Sequence, residues 1–179
     1  MNEPWVSFLH ELDGRLSALT ELHCLGGFVI SEGYGLGRVT ADVEVLEAPG
    51  TSTAELARLA GRDSALHKRH KVYLDIVTVA PIPEHYADRL TEMPAPSFRY
   101  LHLRALDRHD LVLAKLVRNS DRDREDVTRM AAGPGLDTAV LHDRYHAELR
   151  FQVPDSARED LTLQLWIEII EEVTSRRPS

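Results

Sequence analysis

Leu25-Gly26-Gly27, and after a spacer Arg38-Val39-Thr40-Ala41-Asp42-Val43-Glu44-Val45, is the stretch whose reading decides the fold. The second part alternates acidic and apolar residues, which is the period of a strand. On a strand Asp42 and Glu44 share one face, about 7 Å apart, while Val43 and Val45 point to the other. Glycines lack a Cβ, so their backbone N–H groups can approach a phosphate closely. Two acids beside a glycine turn make a site for Mg²⁺ and phosphate. The bland alternative is a half-exposed strand whose acids are merely solvated.

A second acid-bearing strand follows in Val72-Tyr73-Leu74-Asp75-Ile76-Val77-Thr78-Val79. Asp75 sits between apolar neighbours, where a carboxylate is unfavourable unless it is paired or metal-bound. Arg38 and Thr40 precede the first acids. Thr40 shares their strand face and can bond a phosphate or a metal-bound water, and Arg38 can neutralise phosphate charge. Fixing the loop is an equal reading for both. Lys115, within Asp110-Leu111-Val112-Leu113-Ala114-Lys115-Leu116-Val117, is either a phosphate ligand or a surface lysine with a buried stem.

Around these segments the chain reads as alternating elements. Apolar spacing from Trp5 to Leu19 predicts a helix over 4–20, and residues 21–25 a short buried strand. A helix starts near Phe28 and ends in the loop of Gly33, Gly35 and Gly37. Residues 42–47 and 72–79 read as strands. Ser52 and Glu55 have capping-box spacing for a helix through about Arg62. A short helix fits 84–91 and a strand fits 97–106. Asp110 can cap a helix, and further helices fit 122–130, 136–150 and 157–174. The expected fold is therefore α/β (α+β), a mixed sheet flanked by helices over 1–106, with a helical region over 107–179.

Composition narrows the function classes. The 179 residues suffice for a real core, and the net charge of −8 argues against broad nucleic-acid binding through the phosphate backbone. Arg62, Lys68, Arg69 and Lys71 are the candidate local basic patch. No apolar run approaches the ~20 residues that span a bilayer, and the N-terminus lacks signal-peptide character. The single cysteine, Cys24, lies in an apolar run, which reads as packing in a reducing cytoplasm. His67/His70 and His142/His146 lack the Glu or Cys companions of zinc motifs.

The segment 25–45 resembles motif I of the nucleotidyltransferase fold, a hydrophobic-Gly-Gly/Ser turn followed by Asp-hydrophobic-Asp/Glu-hydrophobic. Asp75 resembles the third carboxylate of that fold. The Lys115 helix and Asp123-Arg124-Glu125-Asp126-Val127 resemble the lysine helix and Arg-Asp motif of minimal bacterial nucleotidyltransferase-like proteins, which are related to AbiEii-type toxins of toxin–antitoxin pairs. The resemblance covers roughly residues 20–130.

It implies Mg²⁺ (or Mn²⁺) on Asp42, Glu44 and Asp75, and an NTP triphosphate on Gly26 and Gly27, assisted by Arg38 and Thr40. It further implies Lys115 on phosphate, support from Asp126 or Asp123, and Asp75 activating the acceptor. The acceptor class stays open among RNA, protein and small molecule, and an antitoxin protein is an implied partner. Glu44 stands where Asp is commoner and Gly27 where Ser is frequent. These departures support an alternative, a catalytically degenerate nucleotide-binding or protein-interaction module.

Overall fold

The computed structural model describes residues 1–176. Five strands form one mixed sheet in the order β3-β2-β1-β5-β4. They are β1 (Thr20–Leu25), β2 (Asp42–Val45), β3 (Tyr73–Ile76), β4 (Thr91–Glu92) and β5 (Leu101–Ala105). β1 runs antiparallel to β2 and parallel to β5, β2 is parallel to β3, and β4 is antiparallel to β5. The chain divides into two compact units: residues 1–79 with 90–106, and 80–89 with 107 onward.

In the first unit the sheet has one apolar face. Thr20, Leu22 and Cys24 are buried with Leu101, Leu103 and Ala105, their partners in the β1–β5 ladder, and with Val43, Val45 and Leu74. Burial pushes the Cys24 thiol above its ordinary range, in keeping with a packing role. Helix α1 (Trp5–Asp13) packs on α4 (Ala65–His70), α4 on α3 (Thr53–Ala60), and α3 on β3, while the single turn α2 (Gly26–Phe28) lies against β2. Trp5 meets Phe28 edge-on at 4.8 Å between ring centres.

Several element boundaries differ from the expectation. The first helix ends at Asp13 rather than 20, and Leu19 is 60% exposed. The reason is tertiary: both Asp13 oxygens accept backbone N–H groups of Arg99, Tyr100 and Leu101 at 2.7–2.9 Å. Burial pushes this carboxyl up, yet the three donors outweigh it and hold it below the usual range. β3 stops at Ile76 rather than Val79. The Val77 N–H bonds the Val45 carbonyl, and β2 offers no partner beyond it. Helix α3 ends at Ala60, short of Arg62, with Ser52 accepting from the Glu55 N–H. α4 and the two-residue β4 are additions that periodicity did not show.

The second unit holds a 3₁₀ turn (Tyr86–Arg89) and helices α5 (Arg108–Leu113), α6 (Asp121–Ala132), α7 (Thr138–Arg144) and α8 (Ser156–Ser175). Asp107, not Asp110, caps α5 by accepting from the His109 N–H. Asp110 lies one turn inside, fully buried, held by Arg89 through two hydrogen bonds and by Arg144 through one. Ser120 and Asp123 close a capping box on α6. Among the described residues, no helix is long and apolar enough to cross a membrane.

Candidate functional site

β1 delivers the chain to Gly26, whose φ is +72°, a left-handed conformation suited to glycine. The backbone turns there into a helical run, residues 26–33, with a widened last turn. What meets the two glycines explains why they lack side chains. A Cβ on Gly26 would lie 2.2 Å from Glu44 Oε2, and one on Gly27 would lie 1.8 Å from Arg38 Nη1. The Glu44 carboxylate and the Arg38 guanidinium therefore rest directly on the Gly26-Gly27 backbone. Thr40 is the third neighbour, its Cβ 3.3 Å from the position of a Gly27 Cβ.

The sheet register assembles the acids. Asp42 stands opposite Tyr73, and Glu44 opposite Asp75, in the parallel β2–β3 ladder; Leu25 stands opposite Glu44 across β1. Asp42, Glu44, Tyr73 and Asp75 therefore share one sheet face, with neighbouring strands about 4.8 Å apart. Val43, Val45 and Leu74 fill the other face. Asp42 and Glu44 are half-buried and Asp75 is exposed. Among the described residues, no three His, Cys, Asp or Glu side chains are grouped to hold a metal ion by themselves. As hard oxygen donors, the acids on this face suit Mg²⁺ or Mn²⁺, which ordinarily complete their coordination with water and substrate phosphate.

Hydroxyl groups orient the Asp42 carboxylate. Thr40 Oγ1 donates to Asp42 Oδ1 at 2.5 Å, and the Tyr73 hydroxyl approaches Oδ2 at 3.5 Å. Arg62 donates to the Tyr73 hydroxyl and lays its guanidinium over the ring, 4.4 Å from the centroid. Burial raises the Tyr73 pKa, and the negative charges of Asp42 and Asp75 raise it further, against the opposing pull of Arg62. Sequence reading missed Tyr73. Its signal was available, since it lies two residues from Asp75 and so on the same strand face. Arg62 comes from the loop after α3, and only the fold brings it onto that ring. Of the other candidate basic residues, Arg69 pairs with Glu11, while Lys68 and Lys71 are exposed.

Lys115 and Asp126 lie in the second unit, where they meet each other. The Lys115 ammonium donates to Asp126 Oδ2 at 2.8 Å and to Asp123 Oδ1 at 3.4 Å. Arg118 bonds both oxygens of Asp123 at 2.6 and 2.8 Å, and the Ser120 N–H and hydroxyl add two more bonds. Lys115, Asp123 and Asp126 are all buried. Burial pushes the Asp123 carboxyl up, but Arg118, Ser120 and Lys115 together hold it well below the usual carboxylate range.

The glycine turn, the flanking acids and the arginine bring carboxylate oxygens and a guanidinium together on one surface. Comparison with curated proteins and with solved structures finds no match. Residues 8–174 do match the model of a family described as a nucleotidyltransferase of unknown function (DUF6036), and the chain belongs to that family.

Proposed function

We propose that this chain is a Mg²⁺-dependent nucleotidyltransferase that transfers a nucleoside monophosphate from an NTP to an acceptor hydroxyl. The observation that carries the reading is the seating of Glu44 and Arg38 on Gly26 and Gly27, beside Asp42 and Asp75 on one sheet face. Both seated groups are ends of flexible side chains. Their withdrawal would open the glycine backbone to a triphosphate, with Arg38 then pairing with phosphate oxygens.

In this reading Asp42 and Glu44, with Asp75 across the ladder, would hold Mg²⁺ or Mn²⁺ together with substrate phosphate, and Thr40 fixes the rotamer of Asp42. The ion would neutralise phosphate charge. Asp75 accepts the proton of the acceptor hydroxyl, whose oxygen bonds to the α-phosphorus while the bond to the bridging oxygen breaks and pyrophosphate leaves. The family resemblance implies Lys115 on phosphate with support from Asp126, and these two pair with each other in the second unit. The acceptor is RNA, protein or a small molecule, in a bacterial cytoplasm. The resemblance to minimal nucleotidyltransferase-like proteins related to AbiEii-type toxins supports a role as a toxin–antitoxin component, with an antitoxin protein as partner.

Incubation with α-labelled NTPs, Mg²⁺ and cell extract tests the reading: label appears in an acceptor, and Asp42→Ala abolishes it. Absence of pyrophosphate with every NTP, together with unchanged nucleotide binding by Asp42→Ala, would sink it. A second reading is a degenerate nucleotide-binding or interaction module, favoured by the lack of a three-acid metal group among the described residues. Calorimetry separates the two, because tight NTP binding without Mg²⁺ dependence or turnover belongs to the second alone.

A further inference from the structure

α8 carries two apolar stripes. The inward one, Leu163, Trp166 and Ile170, is buried against its unit. The outward one is Leu161, Leu165 and Ile169, spaced four apart and so in one row along the helix. Leu161 is 65% exposed and Leu165 58%. A groove of about 430 Å³ runs beside this row, lined by Arg124, Thr162, Leu165, Trp166, Ile169 and Glu172.

The charges at the ends of the row are placed against the helix's own dipole. Arg158 lies exposed in the first turn, where the helix end is positive, and the acid of that turn, Glu159, is buried. Glu171 and Glu172 lie near the negative end, where Arg176 follows as the cap and pairs with Glu172. An antiparallel neighbour reverses both signs. Arg158 then sits at the negative end of the other helix, and Glu172 at its positive end.

We propose that the exposed face of α8 is a self-association surface, with a second copy of this chain packed antiparallel across a two-fold axis at Leu165. Residue numbers paired across such an axis sum to a constant. Leu165 meets the partner's Leu165, Leu161 meets the partner's Ile169, and Arg158 meets the partner's Glu172. The row thus sets apolar against apolar and Arg158 against Glu172, as a two-fold interface requires. Arg158 lies 3.6 Å from the buried Glu159 carboxylate and reaches the Val117 carbonyl at 3.5 Å, and Glu172 accepts from Arg176 at the surface. The Glu172–Arg176 pair is solvent-screened, weak and able to exchange. A single helix pair buries less than the ~1,600 Å² of a standard interface, so the expected dimer is weak and reversible.

Sedimentation of the full chain over roughly 1–100 µM tests this. The expected result is a reversible monomer–dimer equilibrium, with the dimer weakened about tenfold or more by Leu165→Glu and by Leu161→Glu. Arg158→Glu and Glu172→Arg each weaken it, and the two together restore it. Circular dichroism confirms folding of each variant, all of them at exposed positions. A wild-type chain that stays monomeric, a dimer indifferent to both leucine changes, or a double charge swap no better than the singles would each overturn the proposal.

Discussion

The acids of β2 and β3 and the acids around Lys115 are the same chemistry in opposite settings. Asp123 and Asp126 are buried, and each is matched by a cation: Arg118 and Lys115 on the first, Lys115 on the second. Asp42 has two hydroxyl neighbours instead of a direct cation, and Asp75 stands exposed on the same face. Burial forces compensation, because an unpaired charge in a low dielectric is penalised by several kcal/mol. A half-open sheet face tolerates acids with less compensation, and that remaining negative charge is what a cation can use. Compensated acids hold a fold together, whereas less compensated ones are available for binding.

The comparison breaks first at Lys115. Lys115→Met leaves two buried carboxylates short of a partner and should lower stability by about 3–5 kcal/mol, read by urea unfolding. Asp42→Asn tests the opposite region. Nucleotidyl transfer should fall at least about a hundredfold, since a metal contact contributes several kcal/mol of charge stabilisation. Its unfolding free energy should stay within about 0.5 kcal/mol of the parent. A large loss of stability in Asp42→Asn would place Asp42 with the structural acids.

Gly26→Ala sharpens the boundary between the two regions. It forces a Cβ into a left-handed position and against the Glu44 carboxylate, at a cost of about 1–2 kcal/mol from the backbone alone. Nucleotide affinity, read by calorimetry, should drop with it.

The smallest effect is in pH. Asp13 and Asp123 are both held below their unfolded values, so their stabilisation is fully present above about pH 4 and is lost as pH falls toward the folded values. Thermal unfolding followed from pH 6 to 2 should show this decline, and Asp13→Asn should flatten part of it. An unchanged slope in that variant would remove Asp13 from the account.

The strand of Asp42 and Glu44 was legible because alternation is a local property with a period of two. The cap at Ser52 and the break at Gly133 followed from local chemistry in the same way. The end of the first helix was not legible, because Leu16 and Leu19 continue its apolar spacing while Asp13 is claimed by the backbone of residues 99–101. Asp110 looked like a cap for a similar reason. Its type and position fit, but Arg89 and Arg144 draw it into the interior, and Asp107 caps the helix instead.

By itself the sequence determined where the paired glycines, the acids two apart on a strand and the lysine in an apolar helix lie along the chain. Periodicity and residue type fix these because they depend only on neighbours along the chain. The tertiary structure alone decided that Glu44 and Arg38 rest on Gly26 and Gly27, that Arg62 and Tyr73 stand beside Asp42, and that Lys115 holds Asp123 and Asp126. Those pairings join residues on different elements, set by strand register and helix packing, which local spacing does not specify.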